Sequence, residues 1–362
     1  MPLPRARAAA DFRVWLGTVW PDLIAMAIVG AAALAIYYAP IKSTRTFPIT
    51  FDSSGDIVFP QYAYPDRGWL LAAPQAGALS IGGPILVYLV ANALRLRCVW
   101  DAGNATLGTA WAALLGSLCQ VVLKQLVGGF RPYFLAVCMP DPARAALPGR
   151  NATGLDGSGF RRLMYTTDIC AQPNPHALKN ATTAFPSGHA TAAFAGCGFL
   201  FLWTVAKLKV WADHRPAFWK LVLALLPLLA AATMAGMLTV DAAHSWYDIA
   251  AGAVIGSVCA LASYRASYAA VWDWRYNHIP LRPGQPFAFD AEGEAEHVAG
   301  TIAQTAGWGA ARKSWLPEEE ESVPSGSGAV GRRAYGWHQG DDVHSQGTLM
   351  NSGISHTAVN SV

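Results

Sequence analysis

Six apolar stretches punctuate the chain, at Leu23–Ala39, Ala76–Leu94, Ala105–Leu123, Ala190–Ala206, Leu221–Val240 and Tyr247–Tyr264. Each is long enough, or nearly so, to cross a hydrocarbon core of about 30 Å, which takes roughly 17–25 helical residues. The first reads as a retained span rather than a signal peptide. The 22 residues before it are polar or mixed, and Tyr37-Tyr38-Ala39-Pro40 is a poor small-residue cleavage site. The expected fold is therefore all-α: a polytopic six-transmembrane helix bundle over residues 23–282, after a cytoplasmic N-terminus of residues 1–22. Beyond Arg282 the apolar periodicity stops. Glu318-Glu319-Glu320-Glu321 and Ser325-Gly326-Ser327-Gly328 typify a stretch too polar to offset its own ordering entropy. Residues 283–362 are expected to form a disordered cytoplasmic tail.

Composition narrows the class. Hydrophobic residues make up 53% of the chain and charged residues 14%, against about 25% charged in a soluble domain. That is too little charge to cover a globular surface, and it excludes an ordinary cytosolic enzyme or a nucleic-acid binder. The net charge of +3 is unevenly spread, because the segment from Gln285 onward holds ten acidic and four basic residues. A basic membrane domain precedes an acidic tail.

The Lys and Arg positions set the expected orientation. Arg5, Arg7 and Arg13 precede the first span, and Arg95 and Arg97 follow the second. Lys207, Lys209, Arg215 and Lys220 separate the fourth from the fifth, and Arg265, Arg275 and Arg282 follow the sixth. With six spans all four segments share one side, the cytoplasm. The loops near residues 40–75, 124–188 and 241–246 then face a lumen or the exterior. Asn151-Ala-Thr153 and Asn180-Ala-Thr182 are glycosylation sequons in the long loop, Asn151 lying farther from the membrane. Cys138 and Cys170 share that loop, where an oxidising compartment permits a disulfide. The expected location is an integral membrane protein of the endomembrane system: endoplasmic reticulum, Golgi, vacuole or plasma membrane.

Ionisable groups beside membrane spans are costly and point to function. Three clusters fall at the expected lumenal ends. Lys124 and Arg131-Pro132 leave the third span, with Gly128-Gly129 between them. A continuous helix would aim both cations one way, whereas the glycines would let the backbone unwind and approach an anion. Pro186-Ser187-Gly188-His189 opens the fourth span. A helix start offers free N–H groups to an anion, Ser187 adds a hydroxyl donor, and His189 is placed to exchange a proton. His244 and Asp248, between the fifth and sixth spans, are spaced i,i+4, as on one helix face. A carboxylate on one imidazole nitrogen leaves the other as a nucleophile or base. Singly, the clusters also fit an interfacial anchor, an N-capping serine and a capping pair.

Lys-x6-Arg-Pro, Pro-Ser-Gly-His and His-x3-Asp in this order resemble the type 2 phosphatidic acid phosphatase family of integral-membrane lipid phosphate phosphatases, and Leu123 through Cys138, with Phe134-Leu-Ala-Val-Cys138 after the Arg-Pro, looks most like its fungal diacylglycerol pyrophosphate and lipid phosphate phosphatases. The resemblance covers roughly residues 20–280. It implies hydrolysis of lipid phosphate monoesters or diphosphates without cofactor or metal, through a phosphohistidine. It makes His244 the nucleophile, Asp248 its orienting partner and His189 the acid. It gives Lys124, Arg131, Ser187 and Gly188 the phosphate oxygens. A membrane lipid phosphate is the implied partner. One position departs: the family's third motif opens with Ser-Arg, and here those residues are Met237 and Leu238. An active enzyme with an altered phosphate site is the first expectation. A lipid phosphotransferase, or a non-catalytic lipid-binding or scaffold relative, carries the same residues. On the first expectation, Leu238→Arg would restore a contact to phosphate and raise turnover.

Overall fold

The computed structural model describes residues 5–39, 45–58, 62–150, 164–285 and 287. Asn151 and nearly all of the expected tail lie outside them. Six helices are long and apolar enough to cross a membrane. The first, α1, runs Arg5–Tyr38, so its apolar part, Ala9–Tyr38, takes in residues assigned from sequence to the N-terminal segment. Only Pro21 interrupts it, and one proline kinks a long helix without ending it.

The second span is assembled from α2 (Ala73–Gly77), a π-helical turn (Ala78–Gly82), α3 (Gly83–Ala91) and a second π-helical turn (Asn92–Leu96). Pro84 lacks the N–H that would bond back along the helix, which accounts for the register change ahead of it. The remaining spans are α4 (Val99–Leu126), α8 (Gly188–Leu208), α9 (Phe218–Val240) and α10 (Trp246–Ser267), with the short helices α5 (Phe134–Cys138), α6 (Pro142–Ala145) and α7 (Pro175–Ala181) between α4 and α8. Central α8 packs against α4, α9, α10 and the second span.

Helices in lipid associate by close packing rather than by escape from water, so small residues mark their closest approaches. Gly252 and Gly256 of α10 sit against the carbonyls of Ser187 and Thr191 on α8, where any Cβ would collide. The Ser187 N–H donates to the Asp248 carbonyl at 3.0 Å. The starts of α8 and α10 are thereby locked side by side.

A small cap of loops covers that end. Strand β1 (Phe47–Pro48) pairs antiparallel with β4 (Met164–Tyr165), and β2 (Thr50–Phe51) with β3 (Ile57–Val58). The cap has its own apolar core, with Phe47, Phe130, Phe134, Ile169 and Leu238 buried together, and a Cys138–Cys170 disulfide.

The opposite end holds a buried polar cluster that apolar patterning conceals. Lys207 Nζ lies 2.5 Å from Asp101 Oδ1, with both side chains buried. Tyr268 donates its hydroxyl to the same carboxylate oxygen at 3.1 Å, and Lys207 donates to the His278 carbonyl at 2.9 Å. Lys209 reaches the Trp274 carbonyl and His278 Nδ1. Asn104 gives its amide to the Ser267 and Leu281 carbonyls at 3.0 and 2.7 Å. Lys207 and Lys209 count as loop charges in the sequence, yet here they clasp the segment after α10 to the bundle. Removing one member of a buried ion pair strands the other, which costs about 3–5 kcal/mol. Asp101→Ala is expected to lose that much in thermal unfolding of the detergent-solubilised protein, and adding Lys207→Met should recover most of it. A single variant as stable as the parent would remove the pair from the fold's support.

Candidate active site

Most of the site residues sit where a helix begins or ends, and Arg131 lies in the loop between α4 and α5. Helix α4 stops at Leu126, just after Lys124, and the backbone unwinds through Gly128 and Gly129 at φ +60° and +111°. Of the two sequence alternatives, the unwound backbone is the one present. Positive φ suits glycine, and the turn pairs with the strand-like segment before α8. The Phe185 and Ala184 N–H groups donate to the Gly128 and Gly129 carbonyls at 2.7 and 3.0 Å. Lys124 Nζ donates to the Thr183 and Ala184 carbonyls at 2.9 and 3.4 Å, which ties the first motif to the second.

Arg131 is the hub. It is 4% exposed, and its Nε and Nη2 donate to the carbonyl and Oδ1 of Asn180 at 2.8 and 3.1 Å. Its Nη1 meets the Ala243 carbonyl at 2.8 Å and His244 Nε2 at 3.1 Å. A guanidinium only donates, so Nε2 accepts and the imidazole proton rests on Nδ1. Nδ1 faces Asp248 Oδ2 at 3.5 Å, an aimed contact longer than a strong hydrogen bond. Burial, then the charges of Arg131 and Lys124, hold His244 well below the usual histidine range. Burial lowers Arg131 as well, but a guanidinium remains charged at neutral pH.

His244 and Asp248 do not share a helix, which corrects the i,i+4 expectation. His244 precedes the N-cap, Ser245, and Asp248 is the third helical residue, accepting from the Ser245 N–H at 3.0 Å. A capping box brings the pair together. Ser187 caps α8, its Oγ accepting from the Ala190 N–H at 3.3 Å, which leaves its hydroxyl hydrogen free to donate. The Gly188 N–H begins that helix. Three of the eight buried side-chain atoms without a hydrogen-bond partner among the described residues, His189 Nε2, His244 Nδ1 and Asp248 Oδ1, belong to this site. Such concentrated unmet polarity fits a site that receives a polar ligand. No group of three His, Cys, Asp or Glu positioned for a metal occurs among the described residues.

Two participants were not identified from sequence. The Trp69 ring stacks on His189, with centroids 5.2 Å apart and planes at 16°, and it also lies 5.0 Å from the Arg131 guanidinium. Asp241 positions it by accepting from the Leu70 N–H at 3.3 Å. A lone tryptophan in a loop carries no motif that could have revealed this. Asn180 was legible only as a sequon, whereas here its side-chain oxygen braces Arg131. Leu238, where the family has arginine, is fully buried in the cap core beside Phe130 and Phe134, while its carbonyl accepts from the Ala243 and His244 N–H groups at 3.0 and 3.2 Å.

Residues 105–272 match the profile of the family described as the PAP2 superfamily. Relatives include a PA-phosphatase related-family protein of Dictyostelium discoideum, 31% identical over 54% of this chain and 56% of the relative. Diacylglycerol pyrophosphate phosphatase 1 of Saccharomyces cerevisiae is 27% identical over 55% and 64%. Lipid phosphate phosphatase 2 of Arabidopsis thaliana is 32% identical over 46% and 51%. The chain thus spans between half and two thirds of these curated relatives. No solved structure matches it.

Hydrogen bonds to a charged group contribute about 1.5–3 kcal/mol. Asn180→Ala leaves Arg131 its backbone partner but frees one edge of the guanidinium. Binding of inorganic phosphate, followed by calorimetric titration, is expected to weaken by about tenfold or more. Unchanged affinity would show that Arg131 needs no brace.

Proposed function

We propose that the chain is a member of the PAP2 superfamily, whose profile residues 105–272 match, and that it hydrolyses phosphate monoesters or diphosphates of membrane lipids through a phosphohistidine on His244. The observation that carries this reading is the buried Arg131–His244–Asp248 alignment beside an unpartnered His189 Nε2. An incoming phosphate replaces His244 Nε2 as the acceptor for Arg131. The freed Nε2 lone pair attacks phosphorus while Asp248 takes up the charge gathering on the Nδ1–H side. The bond from phosphorus to the leaving oxygen breaks, and His189 gives that oxygen a proton. Water then attacks the phosphohistidine, His189 accepts its proton, and phosphate leaves. Lys124, Arg131, the Ser187 hydroxyl and the Gly188 N–H hold the equatorial oxygens, where charge concentrates during phosphoryl transfer.

Protein cations supply the charge a metal would otherwise bring, so the reaction is read as metal-independent. A site at the end of the spans suits a substrate whose acyl chains remain in the bilayer. The Cys138–Cys170 disulfide lies in the cap on the same side as the site, which supports a lumenal or extracellular active face. Phosphate release from detergent-solubilised protein, measured over a panel of lipid phosphates with a chelator present, tests the reading. No release from any of them would favour a lipid-binding relative.

Variants divide the roles. His244→Ala is expected to abolish turnover and phosphate labelling, whereas His189→Ala should hurt alkyl phosphates far more than aryl phosphates, whose leaving groups need no proton. Label trapped on His189 would reverse the assignment. The nucleophile must be unprotonated, and because His244 is held below 6.5 its neutral form persists as pH falls through that value. The acid limb of kcat/KM is therefore expected below pH 6.5, and Arg131→Gln should move it upward in the residual activity. A limb at or above 6.5 in the parent would contradict this electrostatic picture.

The structure alters the expectation for position 238. Leu238→Arg would put a guanidinium into the buried apolar core that Leu238 shares with Phe130 and Phe134, where an unpaired polar group costs about 1–3 kcal/mol or more. A lower melting temperature with no gain in kcat/KM is expected. A gain of about 10²-fold or more would show that the missing arginine limits the enzyme.

A further inference from the structure

Far from His244, a cavity of about 460 Å³ opens between α1, α4, the end of α10 and the segment after it. Asp248 and Arg265 stand at opposite ends of α10, separated by about 26 Å of helix, so this cavity belongs to the other leaflet. Arg265 and Arg282 line it, with Asp22 as the one carboxylate among its lining residues. Arg265 donates to the Tyr268 carbonyl at 3.3 Å and makes no other hydrogen bond among the described residues. Arg282 lies over the Trp100 ring at 5.2 Å, an arrangement that fixes a guanidinium while leaving its edge open. Val19 and Leu107 supply apolar wall. Ser267, the one hydroxyl in the lining, already donates to the Ser263 carbonyl at 2.9 Å, and no histidine or cysteine is present to act as a nucleophile. The volume suits a small ligand, and the chemistry suits binding without reaction.

We propose that this cavity binds the phosphodiester headgroup of an anionic phospholipid from the leaflet opposite the active site. Two guanidiniums at the membrane interface match phosphate oxygens, and a basic pocket between spans is a setting where lipid headgroups are held. The apolar wall receives the glycerol and the first acyl carbons. Bound there, the lipid joins α1 and α4 to the returning segment at Leu281 and Arg282. The inference is independent of the chemistry at His244.

The test uses the full chain in neutral detergent with dioctanoyl phosphatidylglycerol as probe, a phosphodiester. Native mass spectrometry counts retained lipid, and a titration gives Kd. Arg265→Gln with Arg282→Gln is expected to weaken binding at least about tenfold, while the paired Lys variants should retain most of it. Asp22→Asn, which removes the opposing carboxylate, should tighten binding. Inorganic phosphate and glycerol phosphate at equal concentration should compete poorly. Gln variants that bind as the parent does would overturn the proposal, as would inorganic phosphate competing as well as the lipid, which would make the cavity a site for a soluble anion. If the double Gln variant fails to fold, Asp22→Asn decides: binding unchanged or weaker than the parent's overturns the proposal.

Discussion

The site depends on how closely two helix starts can approach. Gly252 and Gly256 let α10 press against the carbonyls of Ser187 and Thr191, and the Ser187 N–H then bonds to the Asp248 carbonyl. Without that contact, the serine and histidine at the start of α8 and the carboxylate at the start of α10 would sit on separate elements with no fixed spacing. Close approach in lipid needs small residues and satisfied backbone groups, and this junction has both. The geometry of the candidate site is helix packing carried to its ends.

On that frame, Arg131 sets the electrostatics. It reaches the Asn180 side chain, the Ala243 carbonyl and His244 Nε2 at once, so one buried guanidinium fixes the tautomer of the histidine it covers. Its burial carries a desolvation cost, which the carbonyls and the Asn180 amide oxygen offset in the free protein. On the proposed reading, a phosphate takes over one of those contacts and needs little rearrangement of the rest. Preorganised charge of this kind stabilises a transition state more than charge recruited from water. Leucine at 238 follows the same logic in reverse: the side chain joins the apolar core of the cap, and the proposed reaction relies on two cations, Lys124 and Arg131.

How much of this was legible in the sequence depends on the kind of signal. The six spans could be read because hydrocarbon thickness imposes a length and a composition; α9 ends at Val240, the boundary expected. The start of α1 could not, since Pro21 does not end the helix and hydropathy alone chose Leu23. The residues of the three motifs come together as their order implied, but the relation of His244 to Asp248 was misread. Spacing of i,i+4 occurs equally in a helix and across a capping box, and only the backbone distinguishes them. Trp69 and the bracing role of Asn180 were out of reach, because both depend on contacts between segments distant in sequence.

The buried polar cluster at the opposite end shows why charge counting and fold reading diverge in membrane proteins. Lys207 and Lys209 contribute to orientation as positive charges beside a span, a rule that concerns insertion. The folded bundle then uses the same residues differently. Lys207 pairs with Asp101, and with Lys209 it gathers carbonyls from the segment after α10. That segment lacks the apolar length to hold itself in place, and polar bonds in a dry environment supply the attachment that apolar burial cannot. The same clasp brings Arg282 back beside Arg265, so the chain that leaves the last span helps to build a second basic site.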